Sequence, residues 1–288
     1  MKKNWIYEVL LLLAVGLWGS SFALTKPLLS VMGVFTFMAY RFLIGGLALT
    51  FFLIIIGRFK PGRHQIKGGI ITGLLLFLAF IFHTYGLKYT SASKNAFIVG
   101  SNVIFVPFIM MIFRKERQPK QVWFSTVLAI IGLGLVTLDG DLGGFNFGDA
   151  LTVIGTLIIS FYILSVEKYV REGSPLTVAA IQVTSVGIFS LVPTLIFETV
   201  SVEWTPLGIQ NILILGIGCT SIAYVIANYC QQYLSAERTA LLYVFEPIFG
   251  ALLGMFLLGD RFGIQGIIGA LLITFATAFP AMVGRGKL

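Results

Sequence analysis

Charge is scarce in this chain. Only 11% of its 288 residues are Asp, Glu, Lys or Arg, against about one-quarter in soluble domains, while 57% are hydrophobic. So few polar groups cannot clothe a globular surface, and a soluble fold is excluded. Cysteine and histidine are scarcer still. The two cysteines, Cys219 and Cys230, fall in one apolar stretch and supply neither a disulfide framework nor a metal site. The two histidines, His64 and His83, cannot form an HExxH motif, and neither a GxSG serine motif nor a GxxxxGK[ST] phosphate loop occurs. An enzyme is therefore not expected, nor a metal or cofactor, and ATP-driven work would need another subunit. Long polar segments are also missing, so no soluble domain is hidden between the apolar ones.

What is present is a series of apolar runs, each near the ~20 residues that cross a bilayer as helix. Ten can be read, at about 6–25, 34–57, 66–87, 92–113, 120–138, 149–166, 176–197, 207–233, 238–258 and 262–283. Helix is the expected state, because an open sheet edge cannot be satisfied in lipid. The net charge of +8 is distributed by side. One set of loops holds Arg58, Lys60, Arg63, Lys67, Arg114, Lys115, Arg117, Lys120, Lys168, Arg171 and Arg238, with Lys2, Lys3, Arg285 and Lys287 at the ends. The opposite turns hold only Lys26, Lys88, Lys94 and Arg261, beside the acidic Asp139, Asp141, Asp149, Glu198 and Glu203. By the positive-inside rule this predicts a multi-pass protein of the plasma (inner) membrane with both termini cytoplasmic. The basicity is a topology signal, and no nucleic-acid partner is expected. Lys2, Lys3 and the run up to Ser21-Phe22-Ala23 mimic a signal peptide, but cleavage would destroy the repeat described next, so an uncleaved first helix is expected.

The chain repeats itself. Residues 89–117 align without gaps on 233–261: Tyr89 with Tyr233, Ala96 with Ala240, Lys94 with Arg238, Phe105 with Phe249 and Met111 with Met255. At a slightly different offset Thr36 meets Thr177 and Arg41 meets Gln182. Two five-span copies follow, 1–138 and 149–283. Because five is odd, the second copy enters the membrane from the opposite side, the inverted-repeat plan of many secondary transporters, with a site near the midplane.

The repeat sets Asn102 opposite Glu246 and Asn95 opposite Thr239. Counting from Arg238, Glu246 lies ~12 Å into a ~30 Å core. A carboxylate there costs ~2.5–3.5 kcal/mol even on the lenient insertion scale, so it faces the protein interior or water. Pro247 cannot donate to the Tyr243 carbonyl and loosens the helix beside it. A substrate or proton site is the functional reading; a structural Glu bonded to a neighbouring helix is the plain one. Arg41 either snorkels outward as an anchor or points inward at a substrate anion. His83 reads as a packed ring or as a proton relay. Thr220, Tyr224 and Asn228 recur as a polar stripe that faces a cavity or bonds a neighbouring helix. Trp18, Tyr85, Tyr162 and Tyr243 each carry a polar tip within a span.

Four fragments, GLWGSSFALTK (16–26), AYRFLIGG (39–46), GLKYTSASKNAF (86–97) and FEPIFGALLGMFLLGDRF (245–262), together resemble the EamA-type drug/metabolite transporters. The resemblance spans nearly the whole chain. It implies an all-α integral membrane protein, ten transmembrane helices in two inverted five-helix repeats around a central cavity. It places Trp18, Arg41 and the Glu246-Pro247 pair at positions that the family pattern favours; the second copy has Ile159-Ser160 where Trp18-Gly19 stand. Arg41 is the one Lys or Arg well inside a span, the others lying at span ends, so phosphorylated cargo fits poorly. Amino acids or related zwitterionic or cationic amphipathic metabolites fit better, exported by alternating access. The expected binding residues are Glu246, Arg41, Trp18, Tyr243, Asn102, Tyr85, Asn228, Tyr162 and Gln182, with Glu246 exchanging protons and Pro247 kinking the helix. The expected partners are the bilayer, a small-molecule substrate and protons, in a monomer or homodimer. A facilitative uniporter or an uptake carrier is the alternative.

Overall fold

The computed structural model describes residues 4–90, 92–138, 144–198, 202, 204–258 and 263–284. Among them there is helix and no strand. In chain order the helices are α1 (Asn4–Leu29), α2 (Val34–Ile55), α3 (Arg63–Tyr89), α4 (Ala92–Gly100), α5 (Asn102–Ile109) and α6 (Lys120–Thr137). They continue with α7 (Phe147–Arg171), α8 (Pro175–Phe197), α9 (Pro206–Leu213), α10 (Ala223–Gln231), α11 (Ala236–Tyr243), α12 (Glu246–Leu258) and α13 (Ile264–Gly284). Wider π-helical turns follow α5 (Met110–Arg114) and join α9 to α10 (Ile214–Ile222). Among the described residues seven helical segments are long and apolar enough to cross a membrane, and Trp5–Ser21 and Ile264–Pro280 are shorter apolar ones. Phe51, Ile55, Leu195, Phe197 and Leu271 are each more than half exposed. Such side chains would aggregate a soluble protein and instead suit contact with lipid.

The chain forms two compact units that cut across the sequence repeat. One comprises Met1–Phe77 with Ser165–Ser235, the other Leu78–Leu164 with Ala236–Leu288. Each therefore draws helices from both sequence copies, and the boundary falls inside α3 and inside α7.

In the first unit α2 lies antiparallel along α8. At one end the rings of Phe35 and Phe197 are 6.5 Å apart; at the other Lys60 N donates to Thr177 Oγ1 at 3.1 Å. Close approach is made by glycine on both sides. A Cβ on Gly46 would lie 2.7 Å from the Thr184 nitrogen, and one on Gly187 2.8 Å from the Leu43 nitrogen. Residues 43 and 46 correspond to 184 and 187 at the offset that pairs Arg41 with Gln182, so exchanging the copies maps this contact onto itself, as across a two-fold axis. Glu198, just past α8, caps α2: its carboxylate accepts from Phe35 N (3.0 Å), Thr36 N (2.7 Å) and Thr36 Oγ1 (2.8 Å). The positive end of the α2 dipole adds to these bonds. A Cβ on Gly33 would strike that carboxylate and displace it from these bonds. At its other end α2 closes through Gly57, at φ +66°, a left-handed conformation that glycine adopts without strain.

In the second unit α6 and α13 pack through Gly132 and Gly269, where a Cβ on Gly132 would come within 2.7 Å of the Gly269 carbonyl. Val103, Ala129, Leu133, Leu241, Val244, Ile248, Ile273 and Ala276 form one apolar core joining α5, α6, α11, α12 and α13. Lys94 and Asp149, counted with the external turns at the ends of their spans, lie in the first turns of α4 and α7: they pair at 2.5 Å, with Asp149 side-chain exposure of 1%. Thr90 Oγ1 donates to Asp149 Oδ1 at 2.5 Å and Asn146 N to Oδ2 at 2.9 Å. The basic and acidic residues expected at positions 2, 3, 139, 141, 203, 261, 285 and 287 lie outside the described residues.

Candidate functional site

Two spans expected to be single helices are each broken. The first splits at Ser101, between α4 and α5; the second splits at Val244-Phe245, between α11 and α12. At the register of the repeat, Asn102 and Glu246 are equivalent, and each is the first residue after its break. The breaks have different chemical causes. Pro247 has no N–H to give Tyr243, so α11 ends there and Phe245 N closes a tighter turn on Leu242 O at 3.1 Å. No proline stands at Ser101. There two hydroxyls occupy the Ile98 carbonyl, Ser101 Oγ at 2.5 Å and Thr156 Oγ1 from α7 at 3.1 Å, competing with the helical ladder.

Glu246 is half-buried in the first turn of α12, where the positive end of the helix dipole falls on its carboxyl. Tyr243 is buried at the end of α11. Asn102 is 4% exposed, and its Oδ1 has no hydrogen-bond partner among the described residues. A buried acceptor left open is uncommon in folded proteins and marks a place to look for a ligand. Thr239 Oγ1, fully buried on α11, is in the same state. Tyr162 on α7 is buried and Tyr85 on α3 half-buried. Asn95, the repeat partner of Thr239, donates to Thr152 Oγ1 (2.8 Å) and to the His83 carbonyl (3.1 Å). Side-chain hydroxyls of Thr152, Thr156 and Ser160 form a buried polar ladder down α7. Neither the break at Ser101 nor this ladder was expected. Their signal lay in the spacing of Thr152, Thr156 and Ser160, four residues apart on one helical face.

The remaining expected site residues belong to the first unit. Arg41 is 5% exposed, so it does not snorkel. Its Nε donates to Thr220 Oγ1 at 2.9 Å, and its guanidinium lies 5.6 Å from the Phe42 ring. Trp18 Nε1 donates to the Cys219 carbonyl at 3.1 Å. Both partners belong to the π-helical turn at 214–222, whose wider ladder presents groups sideways, a feature frequent at functional sites. Tyr224 sits 5.1 Å from the Trp18 ring and 6.2 Å from that of Phe42. Asn228 Nδ2 donates to Gln182 Oε1 at 3.1 Å, both side chains fully buried. The stripe of Thr220, Tyr224 and Asn228 is thus engaged with α2, α1 and α8 in turn. The structure brings Trp18, Arg41, Gln182 and Asn228 together in one unit and Glu246, Tyr243, Asn102, Tyr85 and Tyr162 in the other.

Apolar helices of membrane length, interrupted beside polar residues, define a multi-pass membrane protein with the internal irregularity of a solute carrier. The chain belongs to the EamA-like transporter family, whose pattern it matches twice, over residues 5–138 and 146–281. It is 29% identical over 266 residues to an uncharacterized transporter of Archaeoglobus fulgidus, covering 92% of this chain and 82% of that one. The uncharacterized transporter YyaM of Bacillus subtilis is 26% identical over 288 residues, 95% of this chain and 92% of YyaM. A crystal structure matches with a TM-score of 0.81 over 97% of both chains at 19% identity, a likeness of fold.

Proposed function

We propose that this protein is a secondary active transporter that exports amino acids or related zwitterionic or cationic amphipathic metabolites, exchanging a proton at Glu246. The observation that carries the reading is the pair of helix breaks, which leaves a carboxyl at the first residue of α12 and an open amide oxygen at the equivalent residue of α5. Broken helices at repeat-related positions are the device by which many carriers build a midplane site. In this reading ten helices form two inverted repeats, residues 1–138 and 149–283, and the protein works by alternating access in the plasma membrane with both termini inside. It acts as a monomer or homodimer. Glu246 takes the amino group of the substrate or a proton, one excluding the other, so that proton entry and substrate exit are coupled. Arg41 holds a substrate carboxylate, and Trp18, Tyr85, Tyr162 and Tyr243 supply aromatic faces.

The test is reconstitution in proteoliposomes with an imposed pH gradient and a panel of radiolabelled amino acids. The wild-type protein should concentrate substrate against its gradient. Glu246→Gln, which keeps the shape and fixes the neutral state, should reach the membrane but lose pH-driven accumulation, and its affinity for a substrate bearing an amino group should fall. Accumulation with unchanged pH dependence in that variant makes Glu246 structural, and equilibration without accumulation in the wild type makes the protein a facilitative carrier. For orientation, a cysteine at Gly62 should resist impermeant thiol reagents in intact cells; labelling there overturns the assigned direction.

A further inference from the structure

The contacts of the first unit gather basic side chains from two segments a hundred residues apart. His64 Nε2 lies 3.3 Å from the Tyr169 carbonyl, their rings are 5.1 Å apart, and His64 Nδ1 faces Glu172 at 3.8 Å. A Cβ on Gly68 would strike the Tyr169 ring and one on Gly173 the Gln65 amide, each at 2.7 Å. The start of α3 is therefore clamped to the end of α7. This brings Arg58, Lys60, Arg63 and Lys67, from the α2–α3 connection, to the same end as Lys168 and Arg171, and all six are exposed. Two acidic groups stand among them. Glu167 is 3% exposed and held by Arg171 at 3.0 Å; Glu172 faces His64. The patch remains strongly positive.

Its depth is marked twice. Exposed Ile55 and Ile56 end α2 and exposed Ile66 and Ile70 begin α3, so the apolar face suited to lipid tails runs directly into the cations. At the same end Arg171 Nη2 donates to the Leu234 carbonyl (3.4 Å), beside the stacked rings of Tyr7 and Tyr233, 4.0 Å apart. Part-exposed tyrosines collect where hydrocarbon meets headgroups.

We propose that this patch is a binding site for anionic phospholipid headgroups, a phosphodiester being held between the α2–α3 connection and the end of α7. Arg63 supplies a planar fork that fits phosphate oxygens, and Lys67 and Lys168 supply point charges. The zwitterionic phosphatidylcholine headgroup, whose own cation is repelled, is discriminated against. The occupant is lipid rather than free phosphate, because acyl chains can lie on Ile55, Ile56, Ile66 and Ile70 only when attached to the headgroup.

Native mass spectrometry of the purified protein, titrated with phosphatidylglycerol or phosphatidylcholine of matched chains, tests this. The wild type should retain phosphatidylglycerol preferentially. R63Q/K67Q/K168Q should weaken that retention roughly fivefold for each cation removed, on the order of a hundredfold in all. K115Q/R117Q/K120Q, which removes equal charge from exposed positions of the second unit, should bind as the wild type does. Equal retention of the two lipids by the wild type overturns the proposal whether or not the variants fold. So does an equal loss in the control variant, or displacement of bound lipid by millimolar inorganic phosphate.

Discussion

The two helices of the second unit that break at equivalent positions do so by different chemistry. In α11–α12 the interruption is written into the main chain, since Pro247 cannot complete the ladder. In α4–α5 it is imposed by side chains, the hydroxyl of Ser101 itself and that of Thr156 from α7, both on the Ile98 carbonyl. Their entrances differ as well. Lys94 ends in a buried carboxylate, Asp149, whereas its repeat equivalent Arg238 donates to a main-chain carbonyl, that of Thr277. What the copies share is the position of the break and the polar residue after it. The glycine contacts of α2 with α8 obey the same logic: Gly46 and Gly187 occupy equivalent places, while their neighbours Leu43 and Thr184 differ in character. Repeat symmetry here constrains backbone paths more tightly than side-chain identity.

The comparison can be pressed at three points. The largest effect should come from the entrance of α4. Asp149→Asn leaves Lys94 without its counter-charge in a mostly buried setting, with an expected loss of about 3 kcal/mol. Thermal unfolding in detergent would register this as a clear fall in midpoint. An unchanged midpoint would mean that α4 is not held by the pair. Next comes the main-chain break. Pro247→Ala restores an N–H opposite the Tyr243 carbonyl, relieving up to about 3 kcal/mol of helix disruption. The variant should unfold at a higher temperature and transport about tenfold more slowly, the usual exchange of function for stability. Full activity in a straightened helix would remove the break from the mechanism. The smallest effect belongs to Ser101→Ala. One hydroxyl bond is worth about 1 kcal/mol net, and Thr156 still holds the same carbonyl. Transport should fall by less than about threefold, and the double variant with Thr156→Ala should lose more than the sum of the singles.

Much of the architecture is legible in the sequence. Hydropathy marks the spans because lipid offers the backbone no alternative partner, and the gapless repeat pairs Asn102 with Glu246. Pro247 announces its own break. The interruption at Ser101 is hidden, since serine is common inside helices and the second hydroxyl on the Ile98 carbonyl comes from Thr156, 55 residues further on. Arg41 shows the same limit. Its sequence allowed snorkelling or burial equally, and the choice fell to Thr220 and the ring of Phe42. The π-helical turn at 214–222 carries no proline and no unusual composition, and it is recognised through the partners, Trp18 and Ser221, that take its displaced carbonyls.

The sequence by itself determined the solvent, the helical state and the repeat: the first follows from its apolar runs, the second from the local demand that every peptide group in hydrocarbon be paired along its own helix, and the third from the gapless match of residues 89–117 with 233–261. Tertiary structure alone decided which helices share a unit, which buried polar atoms find partners and which stay open. Those outcomes depend on contacts between segments far apart in the chain, such as Leu43 with Gly187 or Asn228 with Gln182, whose closeness no local pattern encodes.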